Sequence, residues 1–398
     1  MREMKDSRIV WIGAIPKRWQ LSKIGSLYTQ RNEKVSDKDY QPLSVTMQGI
    51  LPQLATAAKT DDGDNRKLVR VGDFAINSRS DRRGSCGISP LDGSVSLINI
   101  ILTPRTAMHP GYYNWLFHTT LFADEFYKWG HGIVADLWTT RWQEMKSITV
   151  PVPEYAEQER IAAFLDAECA EINAVLEKTR ASIEEYKKLK QAVIMQAVTK
   201  GVRGDRPMKN SGIEWIGEIS QDFEIVKLKW LCDILDQFRS PVTADKRNQN
   251  ADVLYDYYGA SGAIDKIDSY TIDDHVMLIG EDGANLRMRN LPIMYEINGK
   301  AWINNHAHIL RPKEGVDFHF VFYALEALDL NYYITGSAQP KLSQDNLRNI
   351  WIPITDFSEQ KRIAAYISDV CVGLDRLIAK KQQYLTEIEN YKKSLIYE

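Results

Sequence analysis

The sequence predicts an α+β chain in which two globular α/β units alternate with two long helices, an internal pseudo-twofold repeat. Three observations predict it. Residues 4–13 (MKDSRIVWIG) return as residues 208–217 (MKNSGIEWIG), identical at seven of ten positions with an offset of 204. Residues 157–166 (EQERIAAFLD) return as residues 359–368 (EQKRIAAYIS) with an offset of 202. Pro151/Pro353, Cys169/Cys371 and Lys190/Lys392 keep that second offset without a gap. A period of about 200 residues is far longer than a solenoid unit, so the repeat is a duplicated domain pair.

The elements follow in order. Residues 1–150 form the first globular unit, with short β-rich runs such as KLVRVGDFAINS broken by Gly, Asp and Asn. Residues 151–200 form the first helical segment. Pro151 and Pro153 precede it, and Glu157 and Glu159 stand where a helix N-terminus favours negative charge. Leu165, Ile172, Thr179, Tyr186 and Val193 fall seven apart, with Cys169, Leu176 and Ile183 four residues after the first three. That spacing is a heptad seam, which keeps one apolar stripe facing a partner helix. Lys200-Gly201 closes the helix with a residue suited to a left-handed cap. Residues 201–213 hold a polar linker, VRGDRPMKN, and the start of the second repeat; residues 214–352 form the second globular unit. Residues 353–398 supply the second helix, with Ile367, Leu374, Lys381, Ile388 and Leu395 on one row and Cys371, Ile378 and Leu385 on the other. Each helix, at about 40 residues, is about 60 Å long. Thr179 and Lys381 interrupt the seam at equivalent positions, as register-setting polar residues or as a solvated turn.

Composition narrows the class. The 398 residues are 44% hydrophobic and 10% aromatic, which excludes collagen-like, disulfide-scaffold and disordered chains. The four cysteines are far apart with no CxxC pair, so a zinc ribbon is not expected and a reduced, cytoplasmic setting fits. The N-terminus lacks the apolar stretch of a signal peptide, and no run reaches the 18 apolar residues of a membrane span. The sequence holds no phosphate-binding GxxxxGK[ST], no GxGxxG after a strand, no GxSxG elbow and no HExxH pair, so catalysis by this chain is not expected. His306 and His308, alternating on a strand, would share a face, but no carboxylate stands at a metal-ligand spacing. No bound metal is expected.

What remains is surface suited to recognition. Arg79, Arg82 and Arg83 stand beside a Gly-containing turn, and arginine pairs with phosphate or bridges a guanine edge. Ser44, Thr46 and Gln48 alternate and would share one strand face. In the second unit the candidates are Tyr257, Tyr258, Ser261, Arg287, Arg289, Asn304, Asn305, His306, His308, Gln339 and Lys341, with Arg239 as a further cation. Formal charge is uneven: +5 over residues 1–150, −2 over 151–200, −6 over 201–350 and zero over 351–398, which sum to −3. A basic first unit suits phosphate contact, whereas an acidic second unit needs a local basic face or help from partners.

This arrangement resembles the specificity (S) subunit of type I DNA restriction–modification systems. The resemblance rests on MKxSxIxWIG opening each half, Pro151 or Pro353 followed by EQxRIAA, the globular–helix–globular–helix order, and Gly299-x-x-Trp302-x-Asn304-Asn305-His306-Ala307-His308. It implies one target-recognition domain per half of a bipartite, asymmetric site in double-stranded DNA. It also implies antiparallel helices that set the spacer and dock two methyltransferase subunits, to which restriction subunits add. Their chemistry would use S-adenosylmethionine, ATP and Mg²⁺ on those partners, with no cofactor on this chain. The helix-spacer seam would then be Leu165, Ile172, Leu176, Ile183, Tyr186, Ile367, Leu374, Ile378, Leu385 and Ile388. Three other readings stay open: a protein–protein scaffold on a helical hairpin, an unrecognised nuclease or methyltransferase, and a specificity module of a related bifunctional enzyme.

Overall fold

A computed structural model describes residues 3–53, 63–132, 138–247 and 252–397. Two compact units emerge: Met1–Lys178 with Leu385–Glu398, and Thr179–Tyr384. Each unit therefore takes the first part of one long helix and the last part of the other.

The repeated opening folds into the same β-hairpin twice. Met4–Asp6 pairs with Ala14–Pro16, and Met208–Asn210 pairs with Glu218–Ser220. The identical positions are the ones the turn uses. The Ser7 hydroxyl accepts the Ile9 amide at 3.2 Å, and the Ser7 amide donates to the Gly13 carbonyl at 3.1 Å. Ser211 repeats both bonds with Ile213 and Gly217, at 3.1 and 2.9 Å. Gly13 and Gly217 have φ of +68° and +71°, a region where a β-carbon is strained. The Lys5 and Lys209 ammoniums donate to the carbonyls of Trp19 and Gln221. Trp11 then meets Phe122 edge-on, while Trp215 stacks on Tyr332.

The strand after each hairpin pairs with the strand that leads into a long helix: Gln20–Lys23 with Thr149–Val152, and Glu224–Lys227 with Trp351–Ile354. Entry and exit of each globular unit are thus tied together. Between them the units differ. The first builds a four-stranded sheet in the order Cys86–Ile88, Phe74–Asn77, Asn99–Pro104, Tyr28–Arg31. The second builds six strands in the order Cys232–Ile234, Ala307–Pro312, Ile272–Gly280, Met294–Ile303, Tyr255–Gly259, Gly262–Ile267. The first core is aromatic, centred on Tyr28, Phe74, Tyr113, Phe117, Phe122 and Phe126. The second is mainly aliphatic around Phe223 and Phe320.

The long helices run Tyr155–Lys200 and Phe357–Tyr397, 46 and 41 residues, or about 69 and 62 Å at 1.5 Å per residue. In the second unit, Lys190 bonds Asp375 at 2.7 Å and the Lys381 ammonium lies 5.7 Å from the Tyr186 ring. Four residues back on one helix correspond to six forward on the other, so the pair is antiparallel. In the first unit Lys392 donates to Asn173 at 2.8 Å. Along the seam Leu165, Ile172, Leu176, Ile183, Ile367 and Leu374 are buried, while Tyr186, Ile378, Leu385 and Ile388 are half-buried. Thr179 is buried, which settles it as a polar seam residue and not a solvated turn.

The shared EQxRIAA glutamine has a mechanical role. Gln158 donates to the Pro153 carbonyl at 2.8 Å and accepts the His109 amide at 2.9 Å. Gln360 donates to the Thr355 carbonyl at 2.7 Å and accepts the Asp317 amide at 2.8 Å. Each glutamine, almost wholly buried, clamps its helix to the start of a helix in the globular unit. Gln360→Ala leaves a partly buried amide and carbonyl without their side-chain partner and is expected to cost about 1–3 kcal/mol. Urea denaturation against the natural chain measures it.

Candidate nucleic-acid interface

Both units present the same backbone device at the end of their central strand. In the first, the residues after Phe74–Asn77 meet a returning segment: the Thr140 amide donates to Ser78 O at 3.0 Å and the Ser80 amide to Trp138 O at 2.9 Å. Arg79 bridges Thr139, and Thr139 exchanges both backbone bonds with His131. In the second, the residues after Ile272–Gly280 do the same. The Leu342 amide donates to Glu281 O at 2.7 Å, the Gly283 amide to Pro340 O at 3.1 Å, and Asp282 bridges Lys341, which in turn bridges Thr335. Arg79 and Asp282 thus hold equivalent places with opposite charge.

In the first unit this device displays cations. Arg79, Arg82 and Arg83 are exposed, Arg82 beside Asp81 at 3.7 Å and Arg83 paired with Asp124. Among the described residues the Arg79 guanidinium has no ion-pair partner. Trp129 and Trp138, exposed at 40% and 39%, stand at the same loops and were not among the sequence candidates. The hairpin Leu43–Thr46/Gly49–Pro52 seats against the neighbouring edge strand, where a β-carbon on Gly87 would meet Gly49 Cα at 2.9 Å. Its register corrects one expectation. Ser44 and Thr46 lie on the strand, but Thr46 donates to the Gly49 carbonyl and accepts the Gln48 amide, so Gln48 sits in the turn and not on a shared strand face.

In the second unit the device gathers some candidates and withdraws others. Ser261 at its hairpin tip, Asn305, His306, Gln339 and Lys341 are exposed around it, and Tyr258 is half-buried. A β-carbon on Gly280 would meet the Ala260 carbonyl at 2.7 Å, which places that tip beside the strand end. The His306 ring nitrogen lies 2.7 Å from Asp282, and Lys341 pairs with Glu281 at 3.0 Å. The expectation that His306 and His308 share a face fails. His306 lies in the turn before Ala307–Pro312, whereas His308 is fully buried, its ring nitrogens 2.7 Å from Asp236 and 2.8 Å from the Leu342 carbonyl. Tyr257 is buried with its hydroxyl on Val242, and Asn304 is buried, accepting the His306 amide. Arg289, at φ +51°, donates to the carbonyls of Glu326 and Leu328 and so caps the helix Phe318–Ala327. Arg287 donates to the Ile334 carbonyl at 3.1 Å.

A buried charge network supports this loop. Asp236 accepts from His308, Gln344 at 2.9 Å and the Ile309 amide at 3.1 Å, and pairs with Arg239 at 3.2 Å. Glu281 pairs with Arg239 and Lys341. Burial opposes ionisation of both carboxyls, but the donors from His308 and Gln344, and from Lys341 and Arg239, outweigh it and hold both below their ordinary range. Arg239 is thereby engaged inside the unit. Among the described residues no group of three or more His, Cys, Asp or Glu is placed to hold a metal, and no helix is long and apolar enough to cross a membrane.

Residues 220–390 match the family model described as the type I restriction modification DNA specificity domain. A putative type I restriction enzyme specificity subunit of Haemophilus influenzae is 28% identical over 40% of this chain and 37% of its own length. The type I restriction enzyme MjaVIII specificity subunit of Methanocaldococcus jannaschii is 27% identical over 63% of this chain and 61% of its own. The alignments thus span less than two thirds of these curated relatives. A solved chain from a study of complex assembly in the type I R-M system matches with a TM-score of 0.72 at 15% identity, covering 96% of this chain and 97% of that one. The HsdS subunit from Thermoanaerobacter tengcongensis matches at 0.50 and 17% identity, covering 96% of each. At these identities the structures establish the fold.

Proposed function

We propose that this chain, whose family model, curated relatives and solved neighbours all converge on the specificity subunits of type I restriction–modification systems, is the DNA sequence-specificity subunit of such a system. Each globular unit reads one half of a bipartite, non-palindromic site in double-stranded DNA. One observation carries the reading: the same loop device ends the central strand of both units but offers Arg79 in one and Asp282 in the other. Two similar frames with different surfaces suit two different half-sites. Specificity needs such side chains at base edges, whereas phosphate contacts only position the protein.

In this reading the chain catalyses nothing and binds no cofactor. The antiparallel helices set the spacer and dock two methyltransferase subunits, which bring S-adenosylmethionine; restriction subunits bring ATP-driven chemistry and Mg²⁺. The setting is the cytoplasm. The exposed candidates Gln48, Arg79, Arg82 and Arg83, and Ser261, Asn305, His306, Gln339 and Lys341, with the half-buried Ser44, are the contact set. With net charge −6 over residues 201–350, binding by the chain alone is weak and the complex supplies affinity.

Coexpression with the cognate methyltransferase subunit, followed by genome-wide mapping of methylated adenines, tests this. The expected result is a bipartite asymmetric motif that vanishes without this chain, and whose first half alone changes when residues 1–150 are exchanged. A motif that persists without the chain overturns the proposal.

A further inference from the structure

Asp282 stands two residues past the strand Ile272–Gly280, the place that Arg79 holds two residues past Phe74–Asn77. Its backbone is fixed by the bridge to Lys341. Gly283 follows at φ +101°, and a β-carbon there would meet nothing within 4 Å, so the loop is open on its outer side. Asn305, His306, Gln339 and Lys341 are exposed around it.

The neighbouring carboxylates are engaged inside the unit. Glu281 holds Arg239 and Lys341, and Asp236 holds His308, Gln344 and Arg239. Asp282 differs. Its Oδ2 takes the His306 ring at 2.7 Å, and among the described residues the side chain has no other hydrogen bond and no lysine or arginine partner. A carboxylate only accepts, so His306 donates from Nδ1 and steadies the group. Oδ1 is left without a donor on a side chain that is 34% exposed.

An anionic acceptor has few favourable partners on DNA. Phosphates repel it, and like charges brought together at an interface are costly. Guanine O6 and N7 and thymine O4 are acceptors as well, and adenine sets N7 beside its amino group. In the major groove only cytosine offers an edge that donates without an adjoining acceptor, through its N4 amino group. A carboxylate placed among base contacts therefore selects by rejection as much as by attraction.

We propose that Asp282 is a specificity-determining residue that accepts a hydrogen bond from the N4 amino group of a cytosine in the second half-site. The inference rests on the proposed function and adds base chemistry to it. The two loop devices become chemical opposites: Arg79 offers donors to an acceptor edge, and Asp282 offers an acceptor to a donor edge.

The test uses the full chain assembled with its methyltransferase subunit. Mapping of methylated adenines with the natural chain is expected to give a second half-motif with a fixed C·G pair. In Asp282→Ala the preference at that pair falls from about 10–100-fold to within about threefold, and the first half-motif is unchanged. The isosteric Asp282→Asn moves the preference toward A·T, because an amide bridges adenine N6 and N7. Competition binding then isolates the contact with a duplex in which 2-pyrimidinone, which lacks the amino group, replaces that cytosine. The natural complex binds it about tenfold more weakly, whereas the Asp282→Ala complex binds both duplexes within about twofold. A second half-motif without a fixed C·G pair, one kept intact in Asp282→Ala, or one lost altogether in Asp282→Asn as well, overturns the assignment and leaves the proposed function standing. A natural chain that gives no bipartite motif overturns the proposed function and this assignment with it.

Discussion

Alanine at Arg79, Arg82 and Arg83 together is expected to weaken recognition of the first half-site by about 10²–10⁴-fold while leaving the second half-site's reading intact, since a good bidentate arginine contact is worth about 1–3 kcal/mol. All three side chains are exposed, and they follow the central strand of a sheet that the substitutions do not touch. The magnitude is below three full contacts because Arg83 must first exchange Asp124, its partner in the free chain. Competition binding of the assembled complex to duplexes altered in one half at a time measures the effect. Single Arg→Lys variants separate two roles: relaxed base preference marks an edge contact, and a salt slope reduced by about one marks a phosphate contact. An affinity that stays within twofold for the triple variant removes this loop from the interface.

The second large effect is in the buried network of the other unit. Asp236→Ala strips the buried His308 of the carboxylate at its ring and leaves Arg239 with Glu281 alone, and breaking a buried pair costs about 3–5 kcal/mol. The expected outcome is an early-unfolding second unit in urea and a methylation pattern that keeps the first half-motif and loses the second. Acid should imitate it. Asp236 and Glu281 are held below their ordinary values of 3.8 and 4.5. Their stabilising contribution is therefore complete above those values and is lost as pH falls through the lower folded-state values. Denaturation midpoints measured from pH 7 down to about 3 should fall in the natural chain and stay flatter in Asp236→Ala; parallel slopes would show that the network is not the acid-sensitive part.

The sequence made the frame legible and the reading surface largely illegible, for a physical reason. Ser7 and Gln158 and their counterparts make side-chain bonds that few residue types make as well, and Gly13 and Gly217 hold a positive φ, so their identity survives duplication and is visible as repetition. The seam is visible because a helix repeats its apolar face at fixed spacing. The loop device is carried by backbone bonds, which any residue can make, and Arg79 and Asp282 share no identity. Tertiary context then decided the rest. His308 and Tyr257 are polar residues drawn into the interior, Arg289 became a helix cap through a left-handed backbone, and Gln48 fell one turn beyond its strand. No residue pattern distinguishes these from exposed contacts.

The paired hairpins and glutamine clamps have a consequence for heredity. Because each globular unit enters through one fixed turn and leaves through one fixed clamp, whatever lies between can be replaced wholesale without disturbing either boundary. The four-stranded and six-stranded sheets already coexist behind the same borders. The stretches at those borders are alike in amino-acid sequence in both halves, so, on the proposed function, exchanging what lies between them would change the preference for one half-site in a single step.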